Sequence, residues 1–196
     1  VYYACGQQMN RIYAPTIAIF FYSCTFTSLS GKTDNGGAIY LTTRGKNPDN
    51  SFKPIEIYYC TFESCDGNNG GAIYIESTQN GRGFNIANCT FNDNKASYSG
   101  GAIYFKAING TFENCHFTNN IANNGTVLYF VFGNTQAFPE HLLVQNNKII
   151  QNKKENDATM KSIVFIEWTR NKIHFHNNQI KIENLNDLYL LDLKKG

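Results

Sequence analysis

A charge imbalance is the first thing this chain lacks. Seventeen Lys and Arg stand against fifteen Asp and Glu in 196 residues, a formal net charge of +2, and no basic stripe marks the chain for nucleic acid. Long apolar runs are missing too. The longest, "APTIAIFFY" at residues 14–22, is far short of the ~20 residues that cross a bilayer, so no membrane span is expected. It reads as the first inward-facing strand, with a signal-peptide core as the alternative. Phosphate loop, nucleophile elbow and zinc spacing are all absent, and no cofactor, metal or catalytic residue is expected. The chain opens on Val1 rather than Met and is read as a segment of a longer protein.

What the chain does have is repetition. "GGAIY" stands at residues 36–40, 70–74 and 100–104, and a drifted copy, "GTVLY", at 125–129. Upstream of the glycines runs a triplet: Cys24-Thr25-Phe26, Cys60-Thr61-Phe62, Cys89-Thr90-Phe91 and Cys115-His116-Phe117, then Asn147-Lys148-Ile149 and Asn178-Gln179-Ile180. The Phe/Ile anchors are 36, 29, 26, 32 and 31 residues apart. A period in this range is the signature of a stacked array.

Three residues before each Cys or its substitute stand Phe21, Ile57, Ile86, Phe112, Val144 and Phe175, and two before those Ile19, Ile55, Phe84, Gly110, Leu142 and Ile173. This period of two marks a strand with one buried face. The parity then breaks, because Phe84 and Ile86 are even-numbered whereas Cys89 and Phe91 are odd. One residue must turn the chain. It is Ser23, Tyr59, Asn88, Asn114, Asn146 and Asn177 in successive copies, and Asn readily enters the left-handed region that a one-residue bend needs. Amides stacked about 4.8 Å apart can also hydrogen-bond along a column. An asparagine ladder is expected at this corner. A second polar corner lies three residues after the aromatic, at Asn94, Asn120 and Asn152, with Leu29, Cys65 and Glu183 as departures. Paired glycines then lead into the third strand, allowing a tight turn or a close approach to the neighbouring copy.

Three strands, three corners and one rise per copy describe an all-β, right-handed parallel β-helix of about six rungs, one domain over residues 1–196. The hand follows from the usual chirality of parallel crossovers. An antiparallel sandwich or barrel would also use short strands, but needs no ladder of identical residues at one corner.

The glycine motif at residues 36–39, 70–73 and 100–103 and the FxxN motif at 91–94 and 117–120 resemble the repeats of the chlamydial polymorphic outer-membrane proteins and of related surface proteins in some protists. The resemblance covers about the first two-thirds of the chain. It implies a surface-exposed adhesin, exported with a signal peptide and, in bacteria, carried by a membrane-embedded barrel.

Cys24, Cys60, Cys89 and Cys115 share one column, with parallel Cβ vectors and neighbours about 4.8 Å apart, where a relaxed disulfide wants Cβ atoms about 3.8 Å apart. They read as a buried column of reduced thiols. Cys5 and Cys65 lie outside it and are the better candidates for a bond, or for standing there by chance. Of the sequons at Asn88, Asn109 and Asn124, Asn88 is assigned to the ladder, leaving Asn109 and Asn124 as the candidate glycosylation sites.

An enzyme is the weaker reading. A polysaccharide lyase or hydrolase needs carboxylates clustered from adjacent rungs, and Glu63, Asp93 and Asp66 come nearest, without a Lys or Arg in their columns. Turn-favouring residues explain them equally well. His174 and His176 share a strand face but lack an obvious third ligand. Thr25, Thr61 and Thr90 form an outward column of the kind seen in ice-binding β-helices, ended by His116 and Lys148.

Rung length varies mainly at residues 42–54, 76–83, 133–140 and 168–172, and insertions in a repeat protein tend to gather on a binding face. Arg44, Lys46, Lys53, Arg82, Trp168 and Arg170 there make a modestly basic rim suited to a host or neighbouring protein or a glycan surface. The reading is a non-catalytic extracellular or cell-surface scaffold for adhesion or recognition. Its main rival is a structural subunit stacking end to end, since "VYY" opens and "LYLLDL" closes on apolar residues without a cap.

Overall fold

The computed structural model describes residues 12–13, 19–31, 34–43, 55–77, 83–107, 109–132, 141–151, 161–168, 172–183 and 189–195. Among them every regular element is a strand, and the strands stack in three parallel sheets. The first sheet holds Ile19–Tyr22, Ile55–Tyr58, Phe84–Ala87, Asn109–Glu113, His141–Gln145 and Lys172–His176. The second holds Thr25–Thr27, Thr61–Glu63, Thr90–Asn92, His116–Thr118, Lys148–Gln151 and Gln179–Ile182. The third holds Ile39–Thr43, Ile73–Ser77, Ile103–Ala107, Leu128–Phe132, Ser162–Trp168 and Tyr189–Lys195, with Ile12–Tyr13 at its near edge. A two-stranded strip, Asp66–Asn69 with Lys95–Ser99, lines part of the edge between the second and third. Each copy thus contributes one strand to each sheet in turn, and the copies stack in register. Ile57 pairs with Ile86, Phe62 with Phe91, and Tyr74 with Tyr104.

The columns inferred from the repeat are the core. Ile19, Phe21, Ile55, Ile57, Phe84, Ile86 and Phe112 are all buried. In the second sheet Phe26, Phe62, Phe91 and Phe117 form one inward column whose rings stack 4.8–4.9 Å apart with planes within 9° of parallel. The strand spacing imposes this separation, and it happens to suit aromatic contact. Gly110 is the exception that fits: a Cβ there would meet the Phe84 ring at 2.0 Å, so the large ring of one rung fills the space left by the missing side chain of the next.

Both corners turn by one left-handed residue. At the first, Ser23, Tyr59, Asn88, Asn114, Asn146 and Asn177 have φ between 53° and 57°; at the second, Ser28, Ser64, Asp93 and Asn119 have φ between 50° and 53°. The extra residue leaves two consecutive side chains facing outward, as with Tyr22 and Ser23, before Cys24 turns in again. The paired glycines divide their work. The first, at 36, 70, 100 and 125, has positive φ. The second is needed for closeness, since a Cβ on Gly101 would come within 2.2 Å of the Thr126 carbonyl oxygen.

The ladder lies one residue later than the sequence suggested. Ser23, Tyr59, Asn88, Asn114, Asn146 and Asn177 are exposed, because the left-handed residue directs its own side chain to solvent and its successor inward. At the first corner the amide ladder therefore runs through Asn147 and Asn178: Asn147 Nδ2 donates to Asn178 Oδ1 at 3.0 Å. The second corner, read from the sequence only as polar, holds a ladder too, with Asn94 Nδ2 donating to Asn120 Oδ1 at 3.0 Å and both residues fully buried. Asn152 lies outside the described residues, Leu29 packs against the core, and Glu183 is exposed.

Candidate functional site

The six cysteines were the most conspicuous chemistry in the sequence. Cys60 N–H donates to Cys89 Sγ at 3.4 Å, and Cys115 N–H donates to Asn147 Oδ1 at 2.9 Å. In turn Cys89 Sγ donates to the Ile57 carbonyl at 3.4 Å, Cys115 Sγ to the Ile86 carbonyl at 3.6 Å, and Asn147 Nδ2 to the Phe112 carbonyl at 3.1 Å. Cys and Asn do the same job in this column. Each inward side chain accepts from a backbone N–H of the preceding rung and donates to one of its carbonyls. Cys65 performs it at the second corner, where Cys65 Sγ donates to the Phe26 carbonyl at 3.7 Å and Cys65 N–H donates to Asn94 Oδ1 at 3.0 Å.

This environment removes nucleophilic character. The hydrogen bond with Cys115, together with burial, pushes the Cys89 thiol up to about 12, and burial pushes Cys65 up to about 11. Contact with Cys89 and burial also push Cys60 strongly up. A reactive cysteine needs the opposite shift. Cys60, Cys65, Cys89 and Cys115 are free and buried, so Cys65 is not the bonded cysteine the sequence suggested. Cys24 departs from the expected reduced column, being disulfide-bonded; Cys5 lies outside the described residues.

The three carboxylates stand in three different columns. Glu63 pairs in register with Asn92 rather than with Asp93, which sits at the next left-handed corner. Asp66 faces Lys95 across the two-stranded strip, so a Lys does fall in one of these columns, contrary to the sequence reading: both residues stand four places after the aromatic of their copy. His174 and His176 are exposed beside Leu143 and Gln145, and the described residues hold no group of three or more His, Cys, Asp and Glu able to bind a metal. On the outward face of the third sheet Tyr40, Tyr74, Tyr104, Tyr129 and Phe165 stack 4.5–5.2 Å apart with planes within 11° of parallel. Each ring covers the faces of the next, so this column braces the sheet and offers mainly edges to solvent.

Among the predicted rim residues, Arg44, Lys46, Lys53, Arg82 and Arg170 lie outside the described residues. Trp168 ends the third-sheet strand Ser162–Trp168. Asn109 is half-buried and accepts from His141 N–H at 3.1 Å; Asn124 is half-buried beside a fully buried Thr126. The sequon assigned to the ladder, Asn88, has its side chain exposed instead.

A sequence model described as the right-handed beta helix region matches residues 13–186, which includes all three corners of the repeat. The chain belongs to the right-handed β-helix family. No curated protein and no solved structure matches it.

On this β-helix one outward cluster was not anticipated. Tyr22 and Tyr59 are 62 % and 55 % exposed, and their rings meet edge to face, 5.3 Å between centroids at 63°. Beside them Tyr58 pairs in register with Tyr22 and donates its hydroxyl to Glu56 Oε1 at 3.1 Å. The signal was available in the sequence: Tyr59 is the only aromatic in a corner column otherwise made of Ser and Asn.

Proposed function

We propose that this β-helix is a non-catalytic scaffold for adhesion or recognition, displayed outside the cell or on its surface. The observation that carries this reading is where the rungs vary. The connection from the first to the second sheet is two residues in every copy, while the connection from the third to the first runs from residues 44–54 in one copy to residue 108 alone in another. One edge of the prism thus accepts insertions without disturbing the core, the usual arrangement when a repeat scaffold varies its contacts. The buried thiols and amides are engaged in joining rungs, which also favours a scaffold over an enzyme. The GGAI and FxxN motifs shared with the polymorphic outer-membrane proteins support the surface assignment.

The test is attachment of protein-coated beads to heparin-coated and cell-covered surfaces. The variant replaces Arg44, Lys46 and Arg82 together with Ser, and its circular dichroism is compared with the parent's to check that the fold is kept. The substitution should weaken attachment, most at low salt. Unchanged attachment would remove the rim from the reading.

A second reading, end-to-end stacking, is favoured by the last rung. Leu190 is 42 % and Ile182 36 % exposed, whereas Ile163, next to Leu190's position in the third sheet, is fully buried.

A further inference from the structure

Tyr59 breaks the local rule of its column. At φ 57° it holds a conformation that bulky side chains avoid and that Asn and Gly tolerate. The equivalent residues are Ser23, Asn88, Asn114, Asn146 and Asn177, all short and polar. Core packing does not repay the misfit, because Tyr59 stays more than half exposed and so does the ring it touches, Tyr22. Backbone strain retained without a return in packing is characteristic of sites kept for function.

We propose that Tyr22 and Tyr59, with Tyr58 and Glu56 beside them, form a binding site for a neutral saccharide. The two rings touch edge to face, so no cavity opens between them to enclose a cation as an aromatic cage would. What they offer is ring surface on the outside of a corner, suited to the C–H face of a pyranose. The surroundings supply the polar half of such recognition. Glu56, whose carboxylate already receives the Tyr58 hydroxyl, lies in register with Asn85, and the next strand position in each rung carries the outward hydroxyls of Thr25 and Thr61. Carboxylate, amide and hydroxyl groups around exposed tyrosine match a polyhydroxylated, uncharged ring; the Glu56 charge disfavours an acidic one. A proline-rich peptide also docks on aromatic surfaces, but it wants apolar grooves between the rings, and here the rings are in contact.

This inference rests on the recognition reading and names one of its contacts, away from the basic rim. The probes are cellotetraose, chitotetraose and mannotetraose at millimolar concentration, observed by saturation-transfer NMR on the full chain. At least one should bind, with transfer from tyrosine ring protons. Tyr59→Asn should weaken that binding by about tenfold or more, while raising the thermal midpoint or leaving it unchanged, because Asn suits the left-handed corner. Tyr22→Ser should weaken it as well. Absence of binding by all three sugars, equal binding by Tyr59→Asn, or binding of a polyproline peptide instead would overturn the proposal. If the rim variant loses bead attachment while sugars ignore the tyrosines, the site fails and the recognition reading stands. If Tyr59→Asn loses sugar binding but no variant changes attachment, the site stands and that reading fails.

Discussion

Asn120→Leu is the sharpest test of how the rungs are joined. Asn120 Oδ1 receives Asn94 N–H at 3.1 Å and Asn94 Nδ2 at 3.0 Å, and its own Nδ2 donates to the Phe91 carbonyl at 3.0 Å. Leucine breaks all three bonds in a site with no exposure. Asn94 Nδ2 keeps the Phe62 carbonyl, so the groups left short are the Asn94 N–H and the Phe91 carbonyl, at about 1–3 kcal/mol each. Leucine's apolar burial returns about 1–2 kcal/mol. The expected net loss is about 1–4 kcal/mol, the two unpaired groups less the returned burial. Asn114→Leu is the matched control: its side chain is exposed, and it should lose only the left-handed preference, about 1 kcal/mol. Asn120→Cys should fall between the two, because Cys65 already fills the same column. Urea unfolding followed by circular dichroism measures all three. Equal midpoint shifts for Asn120→Leu and Asn114→Leu would refute the assignment of the ladder to the inward residue.

Two further expectations concern the thiols and the last rung. Cys60, Cys65, Cys89 and Cys115 should resist a thiol reagent in the native protein and all react on denaturation without reductant. Because the folded thiols of Cys65 and Cys89 titrate near 11 and 12 against an ordinary 9.0, the unfolded chain loses its protons first as pH rises. The stability held below pH 9 should therefore decline from about pH 9 toward 11–12, which urea midpoints at neutral and alkaline pH would reveal; thiol labelling of the native fold or a flat alkaline profile would contradict it. If the exposed last rung is a stacking surface, the chain should self-associate with concentration in sedimentation and Leu190→Lys should abolish this. A monomer at high micromolar concentration, unaffected by the substitution, argues against stacking.

The inward columns could be read from the sequence because a strand's alternation is strict, and the parity break between Ile86 and Cys89 located the turn to the residue. Which neighbour of the turn carries the ladder could not be read as easily. Asn146-Asn147 and Asn177-Asn178 place two asparagines side by side, one outward and left-handed, the other inward and bonded, and composition does not tell them apart. The substitution pattern did hold the answer, since Asn147 and Asn178 align with the cysteines and not with Asn88. The Tyr22–Tyr59 contact joins residues 37 positions apart in chain number, and only stacking the rungs brings them together. Lys95 opposite Asp66 was also legible, since each stands four residues after the aromatic of its own copy, Phe91 and Phe62.

The inward side chains at both corners all grip in one direction. Asn94, Asn120, Cys89, Cys115 and Asn147 each donate to a backbone carbonyl of the rung before them; the side-chain amide bond is an addition made only where two asparagines adjoin. A duplicated rung therefore arrives with its own fastening and asks nothing of the sequence it lands on. Cys can drift to Asn or back in any copy without its neighbours changing in step. Such a molecule can lengthen by tandem duplication and then diversify rung by rung, its interior rules kept by the main chain while the outer surface is free to acquire an oddity such as Tyr59.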